Sequence, residues 1–236
     1  MKTQCVLLFV KYPEPGLVKT RLAADAGAEP AARLARAMVE DALDALKWLE
    51  DTDLILCFAP EQRAESMKHW LGAERTYWPQ RGRDLGQRMK HAFASAFRKG
   101  YERAVLMGTD VPGVDDNAVR PALDSLQGDA VCIGPAMDGG YWLIGFTEQG
   151  YAPEAFTDVE WGSEQVLRQT LGWLEFSRKK LFRAATLQDV DTLADLRILM
   201  ESAVLKPGSR TAMEARRLLE RARQKAEDAA RRSNCQ

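Results

Sequence analysis

The apolar positions of this chain fall into two alternating patterns: short continuous runs, and longer stretches of helical period. Residues 5–10 form a run of the first kind, read as a buried strand, and Pro13, Pro15 and Gly16 force a loop directly after it. Between residues 31 and 51, Leu34, Met38, Ala42, Leu46 and Leu49 recur at helical spacing, while Arg33, Glu40, Asp44 and Lys47 offer a solvated face. Strand, loop and helix in that order make a first β-to-α crossover.

The alternation continues along the chain. A strand is predicted over 53–59, a short helix over 61–71, a brief extended segment over 76–78 and a helix over 84–97 whose Leu85, Met89, Ala92, Phe93 and Ala96 cover a sheet. Residues 103–107 read as a strong strand and 117–126 as a helix; strands over 130–133 and 141–146 flank a loop at 134–140. Ser163 is the expected cap of a helix containing Val166, Leu167, Thr170 and Leu171, and 180–184 adds an edge strand. After Pro207-Gly208 a terminal helix is predicted over 212–232, with a shallow docking stripe of Leu218, Leu219, Ala222, Ala226, Ala229 and Ala230. The expected organisation is one α/β domain over 1–205 and a helical extension over 206–236 packed on or adjoining it.

Composition narrows the function classes. With 236 residues, 46% of them hydrophobic, the chain can bury a sizeable core. Its 33 basic and 34 acidic residues leave a formal charge of -1, which gives no reason to expect a nucleic-acid scaffold, although a local anion site is compatible with it. The early apolar run is too short to span a bilayer, so no transmembrane partner and a cytoplasmic location are expected. Cys5, Cys57, Cys132 and Cys235 are too widely spaced for a zinc quartet and read as buried thiols. With only His69 and His91, Ser-His-Asp catalysis is disfavoured, while hard-metal chemistry stays open.

Chemistry-bearing residues collect where the apolar runs end. Asp110 follows Ala104-Val105-Leu106-Met107, and Gly108 lets the backbone turn near a bound group. Its carboxylate suits a direct or water-mediated Mg²⁺ contact, and equally a turn or helix cap. In the loop Gly134-Pro135-Ala136-Met137-Asp138-Gly139-Gly140, Asp138 suits a metal or polar substrate, with Tyr141 and Trp142 as walls; the same residues also make an Asx-assisted turn. Trp161 is a further candidate wall, and Thr192 a cap beside Asp189, Asp191 and Asp195. Asp191 completes a divalent-cation site if the fold carries it to Asp110 or Asp138.

Two basic loops face these acids in chemistry. Lys11, Lys19 and Arg21 lie around the turn that contains Gly16, where they can bind phosphate oxygens. The string Gly16-Leu17-Val18-Lys19-Thr20 fails as a P-loop because Val18 stands where glycine is required, and no GxGxxG is present. Arg83 and Arg88 lie in a second such loop, Gln80 to Met89, in which Asp84 is also an ordinary N-cap.

Taken in order, these motifs resemble the DUF2064 family, a transferase family associated with radical-SAM or selenodomain proteins within the GT-A-like nucleotide-diphosphosugar transferase superfamily. The markers are Lys11-Tyr12-Pro13-Glu14-Pro15-Gly16, Lys19-Thr20-Arg21-Leu22, Gln80 with Asp84-Leu85-Gly86-Gln87-Arg88-Met89, Gly108-Thr109-Asp110, the loop through Asp138 to Tyr141, Trp161, and Asp189-Val190-Asp191-Thr192. The resemblance implies a GT-A-like three-layer α/β/α fold with a central, mostly parallel mixed sheet and a C-terminal helix. It also implies a bound NTP or NDP-sugar and a Mg²⁺ or Mn²⁺ ion. By that resemblance Asp110, Asp138 and Lys19 are the catalytic candidates and Asp110, Asp138 and Asp191 the metal candidates. Lys11, Gly16, Lys19, Arg21, Arg83 and Arg88 are then the nucleotide-binding candidates.

The stretch Lys19-Thr20-Arg21-Leu22 also looks like the substrate-facing loop of 2-phospholactate guanylyltransferase, which favours nucleotidyl transfer from an NTP to a small phosphate- or hydroxyl-bearing acceptor, with pyrophosphate release. Glycosyl transfer from a nucleotide-diphosphosugar is the competing enzyme reading; a nucleotide-binding protein without turnover is the third. The partners expected are a nucleotide and a small-molecule acceptor, with weak homo-oligomerisation.

Overall fold

The first strand sets the layering. In the computed structural model, which describes residues 2–202 and 204–233, β1 (Gln4–Lys11) turns Val6, Leu8 and Val10 to one apolar layer and Cys5 and Leu7 to another. Successive side chains of a strand point to opposite faces, and here both faces are covered, so the strand reads as a continuous apolar run.

β2 (Thr52–Ala59) and β4 (Arg103–Met107) flank β1 in parallel, and β3 (Thr76–Pro79) runs parallel to β2 at the sheet edge. Beyond β4, β6 (Tyr141–Thr147) pairs antiparallel with both β4 and β5 (Val131–Pro135), and β7 (Leu181–Arg183) pairs parallel with β5. The seven-stranded order is β3-β2-β1-β4-β6-β5-β7. β6 alone is reversed, which makes the sheet mixed but mostly parallel.

Helices cover both faces. α2 (Ala28–Leu46), α3 (Ala64–Leu71) and α5 (Asp116–Ser125) pack on the Val6 side, and α4 (Leu85–Arg98) and α6 (Val166–Phe176) on the Leu7 side. The result is the GT-A-like three-layer arrangement. A third apolar cluster joins Leu22 of α1 (Thr20–Ala26), Leu34 and Met38 of α2, Leu196 of α7 (Leu193–Glu201), and Ala215 and Leu218 of α8 (Arg210–Ser233). α8 therefore leans on α2, and the Arg210 guanidinium fixes its start by bonding Asp41 at 3.2 Å and Asp44 at 2.7 Å. The side chains of Ala226, Ala229 and Ala230, and Cys235, lie outside the described residues; Cys5, Cys57 and Cys132 are buried free thiols. No helix among the described residues is long and apolar enough to cross a membrane.

Three local expectations are corrected. α1 occupies a stretch read as loop, because its seven residues carry no side-chain cap and too few apolar positions to register a period. α2 ends at Leu46, and Leu49, expected on its stripe, is buried from the following turn. Ser163 does not cap α6. Its hydroxyl accepts from Gln165 N at 3.2 Å in a preceding turn, and Gln165 takes the cap position without a side-chain bond. The start of α6 is fixed instead by the adjacent loop, since the Leu167 N–H donates to the Gly139 carbonyl at 2.9 Å.

Phe93 is fully buried at the centre of the Leu7-side layer, with the rings of Phe146 at 5.1 Å and Tyr151 at 5.8 Å from its own. Truncation there removes transfer energy and leaves a cavity. Phe93→Ala is expected to lower unfolding stability by about 3–5 kcal/mol, read as a reduced urea midpoint at unchanged m-value.

Candidate functional site: a divided cleft at the strand ends

Because β1 and β4 are parallel neighbours in register, with Leu8 opposite Met107, the loops that follow them leave the same edge of the sheet. After β1 the chain enters α1 through Lys19, whose φ of 45° and ψ of 49° put a side-chain-bearing residue in the left-handed region. That backbone directs the Lys19 side chain inward. Its ammonium pairs with Asp110, at the end of β4, and with Asp191 Oδ1 at 3.1 Å. The lysine side chain is 5% exposed, whereas that of Asp110 is 66% exposed.

Burial alone would lower the pKa of Lys19. Attraction to Asp110, and then to Asp191, outweighs it and leaves the pKa raised, so the ammonium stays charged through neutral pH. Arg21 reaches the other Asp191 oxygen at 3.9 Å. Asp191 is held by the start of α7: Asp195 accepts from Asp191 N at 3.1 Å and closes a capping box with Thr192. The Val190 N–H donates to the Asp110 carbonyl at 3.0 Å, which ties the two acidic segments together.

These residues line a cleft of about 540 Å³ that also takes in Lys11, Gln80 and Tyr141. A second compartment of about 230 Å³ adjoins it across Gly108, Asp110, Trp142 and Asp191, and is walled by Asp138, Asp189 and Trp161. No Lys, Arg or His lines that compartment among the described residues. At Gly108 an added Cβ would meet no atom within 4 Å, so the strand end opens on free space.

Asp138 is exposed, and its Oδ1 accepts from Gly140 N at 2.8 Å, the expected Asx turn. Asp189 is only 9% exposed and its Oδ1 has no hydrogen-bond partner. Burial, and then the neighbouring Asp138 carboxylate, raise its pKa. The compartment thus carries concentrated negative charge and one buried acceptor oxygen that asks for a donor.

Of the residues singled out from sequence, Lys11, Lys19, Arg21, Asp110 and Asp191 meet in the main cleft, and Asp138 joins the adjoining compartment. Gly16, at φ +82°, makes the turn before Lys19 without lining either space. Arg83 is exposed and lines neither, and Arg88 lines a separate groove between β3 and α4. Gln80 and Asp189, which motif chemistry alone does not mark as site residues, line the cleft and the adjoining compartment respectively. A signal for Asp189 was present in its place two residues before Asp191, with the apolar Val190 between them.

Asp110 and Asp191 offer hard oxygens of the kind Mg²⁺ or Mn²⁺ takes, although the Lys19 ammonium already engages one oxygen of each carboxylate. Among the described residues, no group of three or more His, Cys, Asp or Glu is arranged to hold a metal ion, so further ligands would be water and phosphate oxygens.

The mostly parallel mixed sheet, its covering helices and the strand-end cleft define a member of the GT-A-like nucleotide-diphosphosugar transferase superfamily. Within it the chain belongs to the DUF2064 family, described as uncharacterized proteins conserved in bacteria, whose model matches residues 42–163. A proposed nucleotide-diphospho-sugar transferase from Desulfovibrio desulfuricans G20 is 40% identical, over 95% of this chain and 98% of its own, with a TM-score of 0.89. A cytidylyltransferase from Leptospira borgpetersenii shares the fold at 14% identity, over 96% of each chain, with a TM-score of 0.53. Rv0371c from Mycobacterium tuberculosis shares it at 18% identity, over 85% of this chain and 98% of its own, with a TM-score of 0.52. No curated protein matches the chain.

The asymmetry of burial around Lys19 has a measurable consequence. Lys19→Met leaves carboxylates that reach water and is expected to cost about 1 kcal/mol. Asp110→Asn with Asp191→Asn strands a buried ammonium and is expected to cost about 3 kcal/mol, both read from urea midpoints. Because the folded pKa of Lys19 is raised, its stabilising contribution is complete below the ordinary value of 10.5 and is lost only as pH rises through the raised value.

Proposed function

We propose that the protein transfers a glycosyl group from a nucleotide-diphosphosugar to a hydroxyl-bearing acceptor. The observation that carries this reading is the division of charge within the cleft. Lys11, Lys19 and Arg21 line the larger space and suit a diphosphate. The adjoining compartment offers the Asp138 and Asp189 carboxylates and the Trp161 indole, with no cation among its described lining residues. Carboxylates accept hydrogen bonds from sugar hydroxyls, and an indole face packs against the apolar side of a sugar ring.

Nucleotidyl transfer to a phosphate- or hydroxyl-bearing acceptor is the reading favoured by the Lys19 stretch, and in its phosphate form it would bring that phosphate against like charge at short range. The relative at 40% identity, with a proposed NDP-sugar activity, supports the glycosyl reading as well.

In the proposed reaction the acceptor hydroxyl oxygen attacks the anomeric carbon. A carbon–oxygen bond forms there as the bond from that carbon to the diphosphate oxygen breaks, and the electron pair leaves on the diphosphate. Lys19 and Arg21 stabilise that growing negative charge, and the Lys19 ammonium needs little reorganisation because it is already fixed. Asp138, the exposed carboxylate of the second compartment, takes the hydroxyl proton. Asp110 and Asp191 would hold the divalent ion, which supplies Lewis-acid neutralisation of the diphosphate when bound. The products are a nucleoside diphosphate and a glycosylated acceptor.

Purified protein with a divalent ion, a panel of NDP-sugars or NTPs and a panel of hydroxyl acceptors is expected to release nucleoside diphosphate. Pyrophosphate release from an NTP would overturn the reading. Asp110→Asn should lower turnover about 100-fold with folding preserved. Trp161→Ala should raise KM for the NDP-sugar roughly tenfold, while inhibition by the free nucleoside diphosphate stays within about twofold.

A further inference from the structure

The catalytic cleft makes no use of the basic residues around Arg88. From Leu85 to Arg98, α4 contains no acidic residue, yet it carries Arg88, Lys90, His91 and Arg98, with Lys99 immediately after. In a chain of formal charge -1 this is a local excess of one sign. Met89, Phe93, Ala96 and Phe97 face the sheet. Arg88, His91, Ser95 and Arg98 follow one another at spacings of three and four residues, so they form their own row along the helix.

That row overlooks the open sheet edge at β3. Row and edge enclose a groove of about 230 Å³ that also takes in Trp78 and Arg81, and no Asp or Glu lines it among the described residues. Its cations are largely uncompensated. Arg81 lies 3.7 Å from Glu61, but Arg88 Nε donates only to the Gly82 carbonyl at 3.3 Å, and Arg98 Nε to the Ala94 carbonyl at 3.1 Å. The Lys99 ammonium rests 5.8 Å from the Trp78 ring centroid. Gln80 lines both this groove and the catalytic cleft, pinned between them by its bonds to the Cys57 carbonyl at 2.7 Å and, through its N–H, the Phe58 carbonyl at 2.8 Å.

We propose that the groove between β3 and α4 is a second anion site, which takes a nucleoside monophosphate outside the catalytic cleft. Guanidinium groups recognise phosphate through directed N–H donors, and the half-buried Trp78 indole offers a nucleobase a stacking face once the flexible Lys99 side chain that overlies the ring moves aside. A half-open groove of about 230 Å³ has room for part of a small molecule and lacks the extent of the track needed by a polymer. An occupant there touches Gln80 and so reaches the wall of the catalytic cleft.

Calorimetric titration of the full chain with the four ribonucleoside monophosphates, and separately with inorganic phosphate, tests the site. One binding equivalent is expected that Arg88→Glu with Arg98→Glu weakens at least about tenfold. Lys19→Met should preserve it, as should Arg216→Glu with Arg221→Glu, an equal charge change on exposed positions of α8. Trp78→Leu should weaken the monophosphates about fivefold and leave inorganic phosphate unchanged. Circular dichroism checks that each variant is folded. The proposal is overturned if no equivalent depends on Arg88 and Arg98, or if the α8 pair weakens binding as much. It is overturned too if inorganic phosphate binds as tightly as the monophosphates with Trp78→Leu without effect, since the groove then takes a bare anion.

Discussion

A buried ammonium shared by two carboxylates holds the site together. Lys19, Asp110 and Asp191 come from the loop after β1, the end of β4 and the segment before α7, and the Lys19–Asp191 contact spans 172 residues of sequence. Lys19 reaches its partners from a left-handed backbone, a conformation that costs a side-chain-bearing residue about 1–3 kcal/mol. The ion pairs and the backbone bond from Val190 to Asp110 offset that strain. One interaction therefore fixes the basic loop after β1, the acidic strand end and the entry to α7 in a single arrangement.

What the sequence reveals of the fold follows from how each element is buried. Strands covered on both faces, such as β1 and β4, read directly as apolar runs, and α4 is legible from its stripe and from Asp84, whose side chain accepts from Gln87 N as an N-cap should. α1 is not legible, because it exists through burial of Leu22 in a cluster with α2, α7 and α8. At the site, Lys19 and Asp110 were visible as strand-end chemistry, but their pairing depends on tertiary closure that spacing cannot express. Arg88 illustrates a finer limit. Adjacent residues on a helix point about 100° apart, so Met89 lines the strand-end cleft while Arg88 faces the groove at β3.

The reversed strand explains where the second compartment lies. Since β6 is antiparallel to both β4 and β5, β5 runs in the direction of β4 and ends at the same edge. The turn that joins β5 to β6 must therefore sit at the edge that carries the cleft, and it brings Asp138 there. Gly139 makes that turn close against the lead-in to α6: its φ is +87°, and an added Cβ would come within 2.4 Å of the Glu164 carbonyl oxygen. Trp161, four residues after the turn at Thr157, is brought to the same wall by this contact and by its own packing against Gly86 of α4.

Charge distribution, not net charge, then decides what each space can take. A formal charge of -1 suggests a surface without strong preference, yet the fold sorts that near-neutral composition into a basic cleft, an acidic compartment beside it and a basic groove behind Gln80. Screening in water at physiological salt acts over about 8 Å, so fields of opposite sign in neighbouring spaces persist only where protein walls separate them from solvent. At the boundary of the strand-end cleft the buried Lys19 ammonium offsets part of the charge of Asp110 and Asp191, and Asp138 and Asp189 set the field beyond it.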